Sequence, residues 1–282
     1  MVSDHDDNPD DIRQQFKEKS TGELLQIALT ASDEELDPGW MAIWELRARA
    51  TREVFDAAKT FCESRVPAER SVGVAILAQL GQDTRPYLEE TLDIFFKLID
   101  TEQSSDVLNS VGVGLGHIND PRKVTPLLRL KNHPDAEVRF GVAFGLMGEE
   151  DSQAIQALIE LSSDEDGETR DWATFGLGAL IDVDTSEIRE ALFRRAVDRE
   201  DDSDAPGEGL AGLAHRQDPR AFELILARLE EGNVGTLIFE AAETLAHPGL
   251  YSALVKLRDD QDYDDYERGC LEDAIAACKA QV

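Results

Sequence analysis

The sequence predicts an all-α protein, an α-solenoid of about eight stacked two-helix repeats behind an N-terminal helical cap. Three observations carry this. The stretch from His133 to Leu180 nearly repeats itself after 31 residues: Val138-Arg139 with Phe144-Gly145-Leu146 returns as Thr169-Arg170 with Phe175-Gly176-Leu177. One apolar residue recurs along the chain at Leu46, Leu77, Leu115, Leu146, Leu177, Leu213, Leu245 and Ile275, in steps of 31, 38, 31, 31, 36, 32 and 30. No segment reads as a strand. Two short helices cannot bury their apolar faces alone, so such units must stack into one continuous core.

Residues 1–8 read as a flexible acidic arm, Asp4-His5-Asp6-Asp7 being its centre. Residues 9–65 read as a helical cap and a divergent first repeat. Helices are expected over Pro9–Lys19 and Thr21–Ala31, the second with a capped start at Thr21-Gly22-Glu23. Trp40, Ile43 and Trp44 share a helical face, and Val54, Phe55, Ala58 and Phe61 mark the partner helix. Residues 66–282 form the repeats proper. The two long steps put extra residues around Thr101–Ser105 and Val183–Asp204, which should be loops at the solenoid edge. Glycines inside the first helices, such as Gly112, Gly141, Gly145 and Gly176, each cost up to about 1 kcal/mol against alanine. Close helix approach must offset that cost.

The pattern Val138-Arg139…Gly145-Leu146, Thr169-Arg170…Gly176-Leu177-Gly178, with Asp120-Pro121 and Asp218-Pro219 opening second helices, resembles HEAT repeats. The short bacterial form named after phycobilisome lyases is the most similar type. The resemblance covers roughly residues 66–280 and implies the fold; it leaves activity open, because such repeats serve scaffolds, adaptors, lyase subunits and enzymes alike. Leu108, Pro206 and Ile238 stand where the pattern has arginine, so an arginine ladder along the spine is interrupted. Arg139 and Arg170 are expected to bond to acidic turns or carbonyls of the neighbouring repeat.

Lys plus Arg number 28 and Asp plus Glu 59, a net charge of −31 on 282 residues with 41% hydrophobic side chains. This is a folded, very acidic chain whose field repels phosphate backbones, so nucleic-acid binding is not expected and a basic partner is. Cys62, Cys270 and Cys278 form no CxxC pair and read as reduced thiols. No basic segment followed by an apolar run opens the chain and no stretch approaches the ~18 apolar residues of a membrane span, so a cytoplasmic location without membrane contact is expected.

His117, His215 and His247 each follow a recurring leucine by two residues. Repeats apart, they cannot share a metal ion, and they suit helix C-termini as cations. No His-Glu dipeptide occurs, which withholds the iron ligands of the HEAT-type hydroxylases. Asp260-Gln261-Asp262-Tyr263-Asp264 begins like a calcium loop but has Asp265 at position six and Leu271 at position twelve, where Gly and Glu are needed. No cofactor is expected.

Two surfaces qualify as partner sites. Phe140 and Phe144 lie off the inward stripe of one first helix, and Trp172 and Phe175 take similar places in the next repeat. These four aromatics would anchor a partner, with Asp171 and Glu168 as an acidic rim. Alternatively, Arg129, Arg194 and Lys256 fall at one level of the second helices, which line the concave side in HEAT solenoids, beside Arg195, Arg228 and Arg258. The expected function is a non-catalytic protein-interaction scaffold or adaptor that regulates or neutralises a basic protein. The alternative is an accessory subunit or lyase holding a small ligand in the concave groove.

Overall fold

Several helices begin where a side chain takes up unpaired N–H groups of the first turn. In the computed structural model, which describes residues 14–32, 37–201, 203–232, 234–260 and 263–279, every regular element among the described residues is a helix. The N-terminal portion holds α1 (Thr21–Ala28), α2 (Pro38–Arg49), α3 (Arg52–Cys62), α4 (Pro67–Ala78), α5 (Leu88–Thr101), α6 (Ser105–Gly116), α7 (Val124–Leu128) and α8 (Ala136–Leu146). Then follow α9 (Ser152–Leu161), α10 (Gly167–Ala179), α11 (Ser186–Ala196), α12 (Ala205–His215), α13 (Arg220–Glu231), α14 (Thr236–Leu245), α15 (Tyr251–Asp260) and α16 (Asp265–Lys279). Residues 14–17 are also helical; residues 1–13, with the acidic arm and the start of the first expected helix, lie outside the described residues. Ser20 and Glu23 close a capping box on α1, Asp37 caps α2 with Pro38 in its first turn, and Asp151 and Asp166 cap α9 and α10.

The chain divides into two compact units, Met1–Gly145 and Leu146–Val282. Within the first, α2 packs on α4 and α4 on α6; within the second, α10, α12, α14 and α16 pack in succession. These first helices meet backbone to backbone through glycine. A Cβ on Gly112 would lie 2.5 Å from the carbonyl of Gly141, and one on Gly212 would lie 2.8 Å from the Cα of Gly178. Real side chains do not approach that closely, so the helix-propensity cost of these glycines is the condition for the packing.

Leu46, Leu77, Leu115, Leu146, Leu177, Leu213 and Ile275 are all buried. Leu245 is not: it is half-buried, and α14 turns Phe239 and Ala242 into the core instead. Trp40 and Trp44 also depart from expectation, at 36% and 55% exposed. The buried stripe of α2 is Gly39, Ala42, Ile43 and Leu46, spaced three, one and three, which rotates both tryptophans onto the adjacent face. The residues lengthening the repeat between Leu77 and Leu115 lie in the nine-residue connection 79–87 and in the long α5; only residues 102–104 separate α5 from α6. The second lengthening falls in the connection 197–204, and α11 occupies Ser186–Ala196 of the Val183–Asp204 stretch, after the irregular residues 183–185.

Arginines stitch the turns. Arg70, Arg139 and Arg170 each donate to the carbonyl six residues back, on Ser64, His133 and Asp164, at 2.9 Å. Arg70 also forks onto Glu102 at 2.6 and 2.8 Å, and Arg170 onto Asp201 at 2.9 and 2.7 Å. The Asp-Pro turns share a second device. Asp120 and Asp218 each accept the N–H and guanidinium of the residue two on, Arg122 and Arg220, which then reach back to Glu89 and Glu190.

Candidate functional site

In an acidic chain the informative carboxylates are those without a cation. In the second unit Asp201 and Asp218 are nearly buried, and arginine bonds hold both down to about 2: Arg170 for Asp201, Arg220 for Asp218. Asp171 on α10 and Glu208 on α12 are treated in the opposite way. Burial pushes Asp171 up to about 6, with Asp204, Asp201 and Glu168 adding to it. Burial pushes Glu208 up to about 7, with the charges of Asp171, Glu240 and Asp204 behind it. Oδ1 of Asp171 is buried and accepts no hydrogen bond.

The first helices lay these groups in a row. Asp171 stands on α10, Glu208 on α12 and Glu240 on α14, helices that pack in succession. On α16 the row ends at Cys270 and Tyr266; burial, then the Glu240 charge, raises the Cys270 thiol, while Tyr266 stands 69% exposed. Among the described residues no three His, Cys, Asp or Glu side chains are grouped as a metal ion requires. Half-buried, mutually repelling carboxylates are costly to keep, and such groups cluster at functional sites.

The four aromatics named from sequence are half-buried rather than exposed. Phe140 and Phe144 on α8 have ring centroids 6.3 Å apart, and the edge of His117 meets Phe144 at 5.4 Å. Phe144 lies against Gly116, where a Cβ would come within 2.5 Å of its ring. It therefore fills the space between successive first helices. Trp172 and Phe175 on α10 meet edge to face at 6.0 Å, beside Asp171. On the second helices Arg129 is paired with Asp100 at 2.7 Å, both half in water, a pairing of small energetic weight. Arg194 and Lys256 are exposed and make no ion pair among the described residues.

Residues 92–178 match the family model for HEAT repeats. That stretch consists of HEAT repeats. The Escherichia coli protein YibA is similar along its length, 22% identical with a TM-score of 0.72 and 95% of each chain covered. Kap95p, solved with RanGDP, is 16% identical with a TM-score of 0.60, covering 96% of this chain and 41% of that one. At these identities the likeness shows the fold, an all-α repeat solenoid. No curated protein matches the chain in sequence. No helix among the described residues is long and apolar enough to cross a membrane.

The histidines do not act as one set. His117 caps α6, but burial and the cations of Arg47 and Arg85 push its pKa down, against a cation at that helix end. His247 Nδ1 accepts the N–H of Gly249 and opens a short 3-10 turn. Cys62 and Cys278 are buried, and burial pushes the Cys62 thiol up to about 12. Of the would-be calcium loop, residues 261 and 262 lie outside those described, and from Asp265 onward the stretch is the first part of α16. Sequence reading placed Asp171 at a rim but passed over Glu208 and Glu240, although both stand five residues before a recurring leucine.

Proposed function

We propose that this HEAT-repeat protein is a non-catalytic interaction module whose second unit takes a basic protein segment across the first-helix carboxylates Asp171, Glu208 and Glu240. The carrying observation is that, among the described residues, Asp171 and Glu208 have no cation of their own in a chain that pairs Asp201 and Asp218 with arginine. A lysine or arginine side chain laid along the row would supply the missing charge, lower both pKa values and donate to the buried Oδ1 of Asp171. Trp172, Phe175 and Tyr266 flank the row with aromatic surface that takes guanidinium and ammonium groups favourably. Phe140 and Phe144 belong to the first unit and support the packing there. Arg129, Arg194 and Lys256 would meet acidic groups and take no part in gripping a basic segment.

The test is titration calorimetry with a lysine- and arginine-rich decapeptide. Neutralising Asp171→Asn and Glu208→Gln together should weaken binding at least ~10-fold at about 0.15 M salt, where distant surface charge is screened. The control neutralises Glu223 and Glu230, exposed residues of α13. Equal weakening by both pairs would reduce the effect to the general field of the chain and refute the site.

A further inference from the structure

The first unit contains a cavity of about 290 Å³ across α2, α4 and α6, lined by Trp40, Arg47, Gln79, Asn109, Ser110 and His117 among others. Its charge is opposite to that of the whole chain. Arg47 is only 8% exposed. Its Nε and Nη2 donate to the carbonyl of Ala75 at 2.9 and 2.7 Å, near the C-terminal end of α4, and the helix dipole there offsets part of the buried charge. Among the described residues Nη1 has no hydrogen-bond partner and no carboxylate pairs with this guanidinium.

Other arginines differ, although Arg85 likewise donates only to carbonyls, those of Ala78 and His117. Arg70, Arg122, Arg170, Arg189 and Arg220 all add a carboxylate to their other bonds. In a chain with 59 acidic residues to 28 basic ones, a nearly buried arginine left without one needs an external counter-charge. His117 stands at the rim with no hydrogen bond from its ring, its own protonation opposed by burial and then by Arg47 and Arg85. Trp40, 36% exposed, forms the wall over which the Arg47 guanidinium sits at 5.9 Å from the ring centroid.

We propose that this cavity is a binding site for a small planar carboxylate, its carboxyl on Nη1 of Arg47 and its ring against Trp40. The volume lies at the lower end of small-molecule sites and admits one or two fused rings. Gln79, Asn109 and Ser110 supply neutral polar groups for orientation.

The probe pair is 2-naphthoate and its uncharged amide, 2-naphthamide, titrated calorimetrically into the whole protein near neutral pH. The acid should bind saturably and at least ~10-fold more tightly than the amide, as a charge-assisted bond to a nearly buried guanidinium requires. A −31 protein repels anions, so nonspecific attraction cannot create that preference. Arg47→Gln should erase the difference between acid and amide. Trp40→Ala, which leaves the buried stripe of α2 untouched, should weaken both probes and keep their ratio. If Arg47→Gln does not fold, the probe pair on the native protein and Trp40→Ala decide the matter. Equal affinity for acid and amide, a preference that survives Arg47→Gln, indifference to Trp40→Ala, or no saturation of the acid by about 10 mM would each overturn the proposal.

Discussion

Replacing Glu208 with glutamine should stabilise the protein, and by an amount that depends on pH. In the unfolded chain a glutamate ionises near 4.5; in the fold Glu208 does so near 7, because burial and then Asp171, Glu240 and Asp204 oppose its charge. Between those values the folded state holds a proton that the unfolded state has lost, so stability falls as pH rises through the interval. Below pH 4.5 the group costs nothing; above 7 it costs its full amount. At about 1.4 kcal/mol per pKa unit the gap corresponds to roughly 3 kcal/mol, and solvent screening of a half-buried group lowers the expected gain to about 1–2 kcal/mol at pH 9. Glutamine keeps the shape and carries no charge. Urea unfolding of both proteins at pH 4.5, 7 and 9 should therefore give curves that nearly coincide at the lowest pH and separate as it rises. Glu230→Gln, the same charge change at an exposed site on α13, serves as the reference. A gain equal at all three pH values, or equal to that of Glu230→Gln, would refute the argument that this carboxylate is held against its preference.

Asp201→Asn should cost about 3 kcal/mol, since it strands Arg170 beside a side chain that is only 2% exposed. Because arginine holds the Asp201 carboxyl down to about 2, its contribution is complete above pH 3.8 and is lost as pH falls toward 2, which an acid-unfolding series of wild type against variant would record. Gly112→Ala drives a methyl to within 2.5 Å of a backbone carbonyl and should lower stability by more than about 2 kcal/mol, whereas Gly269→Ala on α16 meets nothing within 4 Å and should raise it by roughly 0.5–1 kcal/mol; thermal melts of the two variants give opposite signs if the packing is as described. Phe144→Ala should cost about 2–3 kcal/mol in chemical denaturation, a half-buried ring losing its place against Gly116, and should leave decapeptide affinity unchanged.

The repeat itself was legible because packing writes it into residue types that have few substitutes. Glycine is required where Gly112 faces Gly141, and arginine where a guanidinium must span from a carbonyl to a distant carboxylate, so both survive as a readable period. What escaped depends on rotation and neighbourhood. Trp40 and Trp44 match an apolar period, yet Gly39 and Ala42, small enough for close approach, own the buried side of α2. Leu245 keeps the spacing while Phe239 and Ala242 take the core. The row of Asp171, Glu208 and Glu240 joins residues 37 and 32 positions apart across a lengthened repeat, and in a chain this acidic nothing local distinguishes them from solvated neighbours. Only their lack of arginine partners does, and that is a property of the assembled fold.

The arginine forks carry one more consequence. Arg70 ends on Glu102, in a repeat whose own arginine position is Leu108; Arg170 ends on Asp201, in a repeat whose position is Pro206. Neither fork passes its hold onward. Each ties two repeats and stops, so opening one of them breaks the lock on its neighbour, while the next repeat along is joined by packing and neutral-donor bonds such as Asn109 to Glu137 and Gln217 to the carbonyl of Thr244. Under hydrogen exchange, protection in each unit should then be lost in steps of two repeats, with seams after the braced pairs, and the chain would fray by couplets rather than helix by helix.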